Sequence, residues 1–286
     1  MRVLVTGALG RIGRASVTAL ADAGHDVTAT DVAGARDLTP VPGARALLWA
    51  DLADAGDAFA VVRGHDVVVH AAAIPNPVTH PPHTVFRNNL MAAFNVIEAS
   101  VRFGVTRLVN ISSESVLGWG FAERPVRPDY LPVDEEHPLR PQDPYALAKS
   151  FAEQLCTAAV ARSALRVISL RPAWVLWPDT YQAELGPFVR DPSMPMPALS
   201  YVDGRDVADA IVLAAGSEEP GHSVCYVVAP DLPVRDNLVT EARRHFGDHV
   251  VMRPVDRPDA AGTSPAGMRR LLGFVARHSW RDHVDA

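Results

Sequence analysis

A tyrosine and a lysine stand four residues apart, at Tyr145 and Lys149, and this spacing places both on one face of a helix. A free tyrosine has a pKa of about 10 and is a poor acid or base at neutral pH. A neighbouring ammonium stabilises the phenolate and brings the group toward useful values. The pair therefore indicates a catalyst that takes or gives the proton of a hydroxyl group.

Serine hydroxyls follow the predicted strand Leu108–Ile111, beginning with Ser112 and Ser113. Parallel sheets bind ligands at the carboxyl ends of their strands. We therefore expect these hydroxyls to lie at the same edge of the sheet as Tyr145 and Lys149.

Three glycines, Gly7, Gly10 and Gly13, join the predicted first strand to the first helix. Glycine at such a junction allows a tight turn, leaves room for a pyrophosphate and lets helix and strand approach closely. The helix begins near Arg11 and Ile12, where unpaired amides and the positive dipole end favour phosphates. The segment predicts a dinucleotide-binding loop.

Asp31 is predicted to end the second strand. A carboxylate there accepts hydrogen bonds from the adenosine ribose and repels a 2′-phosphate, which favours NAD as the cofactor. Arg11, Arg14 and Arg36 are possible partners of a 2′-phosphate, so NADP stays open.

Short apolar strands alternate with longer helical patterns through the first 170 residues. This alternation predicts an α/β fold with a Rossmann-type, doubly wound parallel sheet. The predicted strands are Val3–Thr6, Val27–Thr30, Ala46–Trp49, Val67–His70, Leu108–Ile111 and Val167–Leu170. The predicted helices are Arg11–Ala23, Val85–Phe103 and Tyr145–Ala161.

The pattern changes after residue 170, where prolines become frequent. We predict a dinucleotide-binding domain over residues 1–170 and a small substrate-binding lobe over 171–286, partly interleaved with it. The lobe is expected to contain a helix over Asp206–Ala215 with Asp206 as N-cap, a strand at Val224–Val228, a helix at Asn237–Phe246, and a final helix and loop over Met268–Asp282.

The composition is that of a globular protein, with 48% apolar and 21% charged residues. A formal net charge of −6 argues against nucleic-acid or anionic-membrane partners. The two cysteines and the histidines show no metal-ligand spacing, so no metal site is expected. Because Arg2–Val5 already resembles a buried strand and no apolar run is long enough to span a bilayer, we expect a cytoplasmic location without signal peptide or membrane span.

The chain resembles the NAD-dependent epimerase/dehydratase branch of the extended short-chain dehydrogenases/reductases over nearly its whole length. The motifs that carry the resemblance are TGALGRIG from Thr6, Asp31, Asp51-Leu52, HAAA from His70, Asn89 with NVIEA from Asn95, SSESVLG from Ser112, PYALAK from Pro144, RPAWVLWP from Arg171 and SYVDGRDVADA from Ser200.

By matching positions, the resemblance implies that Ser113 orients the substrate, Tyr145 is the acid–base, and Lys149 activates it and binds the cofactor ribose. Contacts to adenine are implied for Asp51 and Leu52, a lining of the cofactor groove for Ala71 and Ala72, and a bracing role for Asn89. A homodimer formed through the helices Val85–Phe103 and Tyr145–Ala161 is also implied.

Two departures from the family narrow the chemistry. The related 4,6-dehydratases carry an Asp-Glu pair where this chain has Glu114 and Ser115, so the base for eliminating water is missing. Only about twenty residues separate Trp177-Pro178 from Ser200-Tyr201, a short stretch for holding a nucleoside diphosphate. The compact layout is similar to that of uronate dehydrogenases.

We therefore expect an NAD-dependent oxidoreductase that interconverts an alcohol and a carbonyl on a small sugar-like or polyol substrate. Two alternatives stay open: an NAD-dependent epimerase, which returns the hydride to the opposite face, and a non-catalytic dinucleotide-binding sensor.

Two residues are candidate substrate ligands. Arg171 either holds a substrate carboxylate through its planar fork or has only a positional role. Trp174 lies among tryptophans that either line a sugar-stacking pocket or pack in the core. The acidic segment 134–136 is expected to be solvated surface.

Overall fold

A computed structural model of the chain describes residues 1–32, 41–191, 194 and 198–285. Its strands are β1 (Arg2–Thr6), β2 (Asp26–Asp31), β3 (Ala44–Trp49), β4 (Val67–His70), β5 (Arg107–Ile111), β6 (Tyr130–Leu131), β7 (Arg166–Pro172), β8 (Trp174–Leu176), β9 (Tyr201–Asp203), β10 (His222–Val227) and β11 (Val251–Met252).

Within the described residues, seven parallel strands form the main sheet in the order β3-β2-β1-β4-β5-β7-β10. β1 lies at the point where the strand order reverses, between β2 and β4. Such a switch point is where doubly wound sheets bind ligands. The predicted Rossmann-type fold is confirmed.

The helices are α1 (Arg11–Asp22), α2 (Ala55–Val62), α3 (Pro82–Phe103), α4 (Pro144–Ala161), α5 (Tyr181–Glu184), α6 (Gly186–Arg190), α7 (Gly204–Gly216), α8 (Leu238–Phe246) and α9 (Ala266–Leu272). α1 and α7 cover one face of the main sheet, and α2, α3 and α4 cover the other.

Alternation along the strands explains why both faces are covered. Successive side chains of a strand point to opposite faces, so a strand buried on both sides is apolar throughout. In β4, Val67 and Val69 belong to the core beneath α1 and α7, whereas Val68 belongs to the core beneath α2, α3 and α4.

Helix α2 was not predicted from the sequence. It has only eight residues, too few for a clear helical period, and its start is marked by a single cap. The Asp54 side chain accepts a hydrogen bond from the Asp57 amide at 3.1 Å.

The strand predicted at Val224–Val228 as part of the small lobe is β10, and it pairs with β7 at the edge of the main sheet. The chain after residue 170 therefore contributes to both parts, while the smaller sheets β8-β9 and β6-β11 lie outside the main sheet. The division at residue 170 stays a prediction.

The predicted N-cap of α7 is wrong. The helix begins at Gly204, and Asp203 caps it by accepting a hydrogen bond from the Arg205 amide at 2.8 Å. Asp206 lies in the first turn and accepts the amides of Arg277 and His278, both at 3.0 Å. The sequence offers both Asp203 and Asp206 near the start of this helix. Only the folded structure shows that Asp203 is the cap and that Asp206 binds the C-terminal segment.

The acidic segment 134–136 is also more than solvated surface. Glu135 accepts a hydrogen bond from the Tyr226 amide at 3.0 Å, on the open edge of β10. One backbone amide on the open edge of this strand is thereby hydrogen-bonded to a side chain.

No helix among the described residues is both long and apolar enough to cross a membrane. The cytoplasmic location stays a prediction.

Candidate active site

The loop between β1 and α1 is built from close backbone contacts. Gly7 has a φ of +63°, and a Cβ added to it would lie 2.6 Å from Ala72 Cα. A Cβ on Gly13 would lie 2.0 Å from the Gly7 carbonyl oxygen, whereas one on Gly10 would meet only that oxygen, at 3.2 Å. Gly7 and Gly13 are thus required by packing, whereas a methyl group at Gly10 would make a single tight contact.

The N terminus of α1 lies at this loop, and no side chain of the described residues caps it. The first-turn amides, including that of Ile12, together with the helix dipole favour an anionic group. The loop therefore fits the diphosphate of a dinucleotide.

Arg11 does not turn toward the adenosine end of this groove. Its guanidinium forms an ion pair with Asp179 and lies 5.0 Å from the centre of the Trp177 ring. The side chain thus joins the start of α1 to the segment that follows β8.

Asp31 lies at the end of β2, and its carboxylate accepts the amides of Leu9 at 2.8 Å and Val32 at 2.7 Å. Arg14 donates from Nε to the Leu9 carbonyl at 3.1 Å. The carboxylate is therefore held rigidly beside the glycine loop. Arg36 lies outside the described residues.

The predicted adenine contacts lie in a turn after β3. Asp51 accepts the Ala53 amide at 3.0 Å, and Leu52 is buried. The sequence did not identify the residue that holds this turn: Asn95 on α3 donates to the carbonyls of Leu52 at 3.0 Å and Ala53 at 3.1 Å. A buried amide in an otherwise apolar helix face was the available signal.

The segment after β4 is clasped to the glycine loop. Thr6 Oγ1 accepts the Ala72 amide at 3.2 Å and lies 3.0 Å from His70 Nδ1. Ala71 and Ala72 therefore line the same groove as Gly7. Asn89 braces the next residues, because it exchanges hydrogen bonds with both backbone groups of Ile74 at 2.8 and 3.0 Å.

Ser113 caps the short 3₁₀ helix Glu114–Leu117, and its Oγ accepts the Ser115 amide at 3.1 Å. This contact orients the hydroxyl, so its proton is available for another acceptor. Its side chain also interacts with the hydroxyl of Tyr145.

Tyr145 stands in the first turn of α4, where Asp143 accepts the amides of Tyr145 at 2.9 Å and Ala146 at 3.0 Å. Burial raises the pKa of Tyr145 to about 12; hydrogen bonding with Ser113 opposes the rise, and the Asp143 charge adds to it. Sequence reasoning missed Asp143, although aspartate followed by proline is a typical helix start.

Lys149 is buried, donates from Nζ to the Ile111 carbonyl at 2.6 Å and lies 5.7 Å from the centre of the Tyr145 ring. Burial lowers the pKa of its amine to about 8, while the Glu153 carboxylate acts in the opposite direction. The structure thus brings Ser113, Tyr145 and Lys149 together at the carboxyl edge of the sheet.

Lys149 is also the only lysine in the sequence, since every other one of the 27 lysine and arginine residues is arginine. Arginine stays protonated in proteins, whereas a lysine amine shifts its pKa readily when buried. A chain that uses arginine everywhere else and lysine here indicates that position 149 requires an amine.

The two candidate substrate residues lie differently. The guanidinium of Arg171 is buried and bonded to Glu153 and to the Tyr226 hydroxyl, which favours its positional role over a role in substrate binding. Trp174 is half-buried and packs edge-on against Phe188, with ring centres 6.1 Å apart. Core packing therefore accounts for at least part of its surface.

Among the described residues, no group of three or more His, Cys, Asp or Glu side chains is arranged to hold a metal ion. The groove instead offers a glycine loop, an uncapped helix and an acid–base pair. That combination fits a nicotinamide dinucleotide and a substrate hydroxyl or carbonyl.

Comparison with known proteins gives the same result. The profile of the NAD dependent epimerase/dehydratase family matches residues 3–186. The chain belongs to this family. It is therefore an NAD(P)-dependent dehydrogenase or epimerase of the extended short-chain type.

Family members with different activities are similar to the chain. An L-arabinose 1-dehydrogenase (NAD(P)(+)) from Haloferax volcanii is 33% identical over 189 residues, which are 64% of this chain and 71% of that protein. A uronate dehydrogenase from Pseudomonas syringae pv. tomato is 24% identical and covers 98% of this chain and 95% of its own.

A crystal structure of a UDP-galactose 4-epimerase is also similar, with a TM-score of 0.72 and 26% identity over 98% of this chain and 94% of that one. In sequence, however, the chain spans about half the length of the UDP-glucose 4-epimerases it matches.

Proposed function

We propose that this family member is an NAD-dependent dehydrogenase that interconverts an alcohol and a carbonyl on a small sugar-like or polyol substrate. The observation that carries the proposal is the meeting of an oriented Ser113 hydroxyl, Tyr145 and the only lysine of the chain beside the glycine loop.

Each of the three side chains has a separate role in the proposed reaction. Ser113, whose Oγ accepts the Ser115 amide, holds the reacting oxygen of the substrate through its hydroxyl group. Tyr145 takes the hydroxyl proton on oxidation or gives it back on reduction. Lys149 stabilises the phenolate through its charge. When bound, the nicotinamide supplies the acceptor or donor of the hydride.

A small substrate is supported by the short connection between β8 and β9, which holds only the short helices α5 and α6 in its described part. The nucleotide-sugar epimerases that the chain resembles usually have a longer stretch there, which helps to hold the nucleoside diphosphate. The match to a uronate dehydrogenase over nearly the full length of both chains agrees with this size.

NAD is favoured over NADP by Asp31. Its carboxylate is fixed by two amides at the end of β2, where the adenosine ribose is expected. A 2′-phosphate placed there meets a fixed negative charge, and Arg11 and Arg14 are engaged elsewhere.

The second candidate is an epimerase, which the similarity to a UDP-galactose 4-epimerase structure over 98% of the chain favours. It uses the same acid–base group but returns the hydride to the opposite face. No reduced nicotinamide then accumulates.

The experiment is a screen of aldoses, sugar acids, polyols and nucleotide sugars with NAD and NADP, following reduced nicotinamide by absorbance. A dehydrogenase produces reduced cofactor with one substrate class and loses it in Tyr145→Phe. Conversion of a nucleotide sugar without net reduction supports the epimerase instead. If the protein folds and binds NAD but catalyses neither reaction, both candidates are contradicted.

We further infer that the protein forms a homodimer. An apolar groove runs between α3 and α4 on the surface, and its lining residues are Phe86, Leu90, Met91, Phe94, Phe151, Gln154 and Leu155. The groove carries no charged side chain, so a second copy of the same face is the occupant that suits it.

A further inference from the structure

Glu153 is a buried carboxylate that stands behind the catalytic pair. It lies one helical turn after Lys149 on α4 and is 6% exposed. Three donors surround it: Ser112 Oγ at 2.6 Å, Arg171 Nε at 2.9 Å and Arg171 Nη2 at 2.7 Å. A carboxylate without such partners would be neutral at this depth.

Arg171 forms a buried, bidentate ion pair with Glu153. A guanidinium does not lose its proton, and its two parallel hydrogen bonds are made to the charged carboxylate. The third bond of Arg171, to the Tyr226 hydroxyl at 3.1 Å, fixes the fork from the other side. The carboxylate is therefore held in one place, one helical turn from Lys149.

Lys149 needs such a charge because its other surroundings do not supply one. The Ile111 carbonyl accepts one hydrogen bond at 2.6 Å, and the ring of Tyr145 lies close by. His70 on β4 also faces the amine, but burial and the Lys149 charge lower the pKa of His70 to about 3, so its ring is neutral.

We propose that Glu153 is a positioning residue that holds Lys149 in its ammonium form and, through Ser112, fixes the backbone that carries Ser113. Two of the three catalytic groups then depend on one carboxylate that touches neither substrate nor cofactor. Arg171 acts as the counter-ion of Glu153. This inference rests on the proposed function only for what the ammonium does in the reaction.

The reason lies in how the pair shares its proton. After the pair has lost one proton, it exists in two forms that are in equilibrium. In the first form Tyr145 is a phenolate and Lys149 is an ammonium. In the second form both groups are neutral. A carboxylate next to the amine favours the first form, which is the one that can accept a proton from an alcohol. Without it, the pair is more often neutral and inactive.

The other groups facing Glu153 do not replace its charge. His222 on β10 is shared between Thr157 and Ser169, at 2.8 Å each, and burial lowers its pKa. Burial raises the pKa of the Cys156 thiol to about 12 and keeps it neutral. Arg171 is the remaining charge, and it is positive.

The test uses the single lysine of the chain. Protein labelled with ¹³C-lysine gives one ε-carbon signal, from Lys149, and its pH titration reports the pKa of the amine without any substrate. We expect Glu153→Gln to lower that pKa by on the order of one pH unit. Glu98→Gln, which removes an exposed ion pair between α3 and Arg162 after α4, is the matched control and is expected to leave it unchanged.

Glu153→Gln leaves Arg171 buried without its counter-ion, which destabilises the fold. A second variant therefore provides the test if the first one does not fold. Glu153→Gln with Arg171→Met removes both charges, and we expect a smaller shift in the same direction, since the repelling guanidinium is also gone. A folded variant whose Lys149 titrates as in the wild type overturns the proposal. A wild-type Lys149 that titrates below pH 6 also overturns the proposal, because Glu153 then does not keep the amine protonated at neutral pH.

Activity gives the second readout once a substrate is known. In Glu153→Gln, the acid limb of the oxidation profile moves to lower pH and the maximal kcat falls about tenfold, whereas a merely structural loss lowers kcat without moving the limb. If the screen yields no substrate, the proposed function fails but the titration still decides the role of Glu153.

Discussion

At the scale of single residues, two carboxylates act on the catalytic pair from opposite ends. Asp143 caps α4 and lies beside Tyr145, where its charge opposes the phenolate. Glu153 lies beyond Lys149 and favours the ammonium. The position of each charge along one helix therefore decides which catalytic group holds the proton.

Replacing Asp143 with Asn keeps the cap, because the side-chain oxygen still accepts the amides of Tyr145 and Ala146, but removes the charge. We expect the pKa of Tyr145 to fall, so the pH of half-maximal kcat/KM for oxidation moves down by on the order of one unit. Asp54→Asn, the same change at the cap of α2, is the control. An unmoved profile in Asp143→Asn contradicts the role of this charge.

The second residue prediction concerns cofactor choice. Asp31→Asn removes the fixed charge at the end of β2 and weakens the bond to a ribose hydroxyl. We expect the ratio of NAD to NADP affinity to fall about tenfold or more, as a charged hydrogen bond contributes about 1.5–3 kcal/mol. Asp26→Asn, at the other end of the strand, serves as control. Titration calorimetry measures both cofactors, and an unchanged ratio counts against Asp31.

At the scale of elements, the junction of β1 and α1 separates two uses of glycine. Gly13 is required because the helix touches the loop, whereas a methyl group at Gly10 would meet only the Gly7 carbonyl oxygen, at 3.2 Å. The spacing of the glycines in the sequence does not distinguish the roles of Gly10 and Gly13. Packing distinguishes them.

We therefore expect Gly13→Ala to destabilise the fold by about 1–3 kcal/mol, since a methyl group 2.0 Å from the Gly7 carbonyl oxygen cannot be accommodated without a shift. We expect Gly10→Ala, whose methyl group lies 3.2 Å from the same oxygen, to lose less stability than Gly13→Ala but to lose NAD affinity about tenfold, because the methyl occupies the anion site. Thermal unfolding and calorimetry with NAD give the two readouts. Equal effects on both readouts in the two variants would show that the distinction is wrong.

At the scale of the whole molecule, a buried carboxyl connects the catalytic loop to the C-terminal part of the chain. Glu114 accepts a hydrogen bond from Thr263, which in turn accepts one from Ser200 at 3.0 Å. Burial raises the pKa of Glu114 to about 7, against the effect of these hydroxyls. The junction is therefore most stable when Glu114 is protonated.

The sign of the pH dependence follows. The unfolded chain loses this proton near pH 4.5 and the folded chain near pH 7, so the stabilising contribution is complete below pH 4.5 and is lost as the pH rises through 7. Glu114→Gln mimics the protonated form. We expect it to match the wild type at pH 5 within about 1 kcal/mol and to exceed it by about 1–3 kcal/mol at pH 8 in urea unfolding. A pH-independent difference contradicts the prediction.

The dimer is the other prediction at this scale. Phe151 is 39% exposed in the groove between α3 and α4, so Phe151→Glu should place a charge in the interface and give a monomer by light scattering. Phe121→Glu, an equally exposed phenylalanine at 39% but outside the groove, should leave the mass unchanged. A wild-type monomer at micromolar concentration contradicts the inference.

The sequence by itself determined the main sheet and the groups gathered at its edge. Nearly continuous apolar strands, such as the one that contains Val67–Val69, specify burial on both faces, and the Tyr145–Lys149 spacing specifies one helix face, because both signals are local. The pairing of β10 with β7 in the main sheet was not predicted, since the sequence of a single strand does not reveal which neighbour it pairs with.

Only the tertiary structure decided what surrounds each group. Arg171 could bind a substrate or a buried partner, and its bonds to Glu153, 18 residues earlier in the chain, favour the partner. Asp203 rather than Asp206 caps α7 for the same reason. A side chain's type sets the bonds it can make, but burial and neighbours distant in sequence select which bonds form.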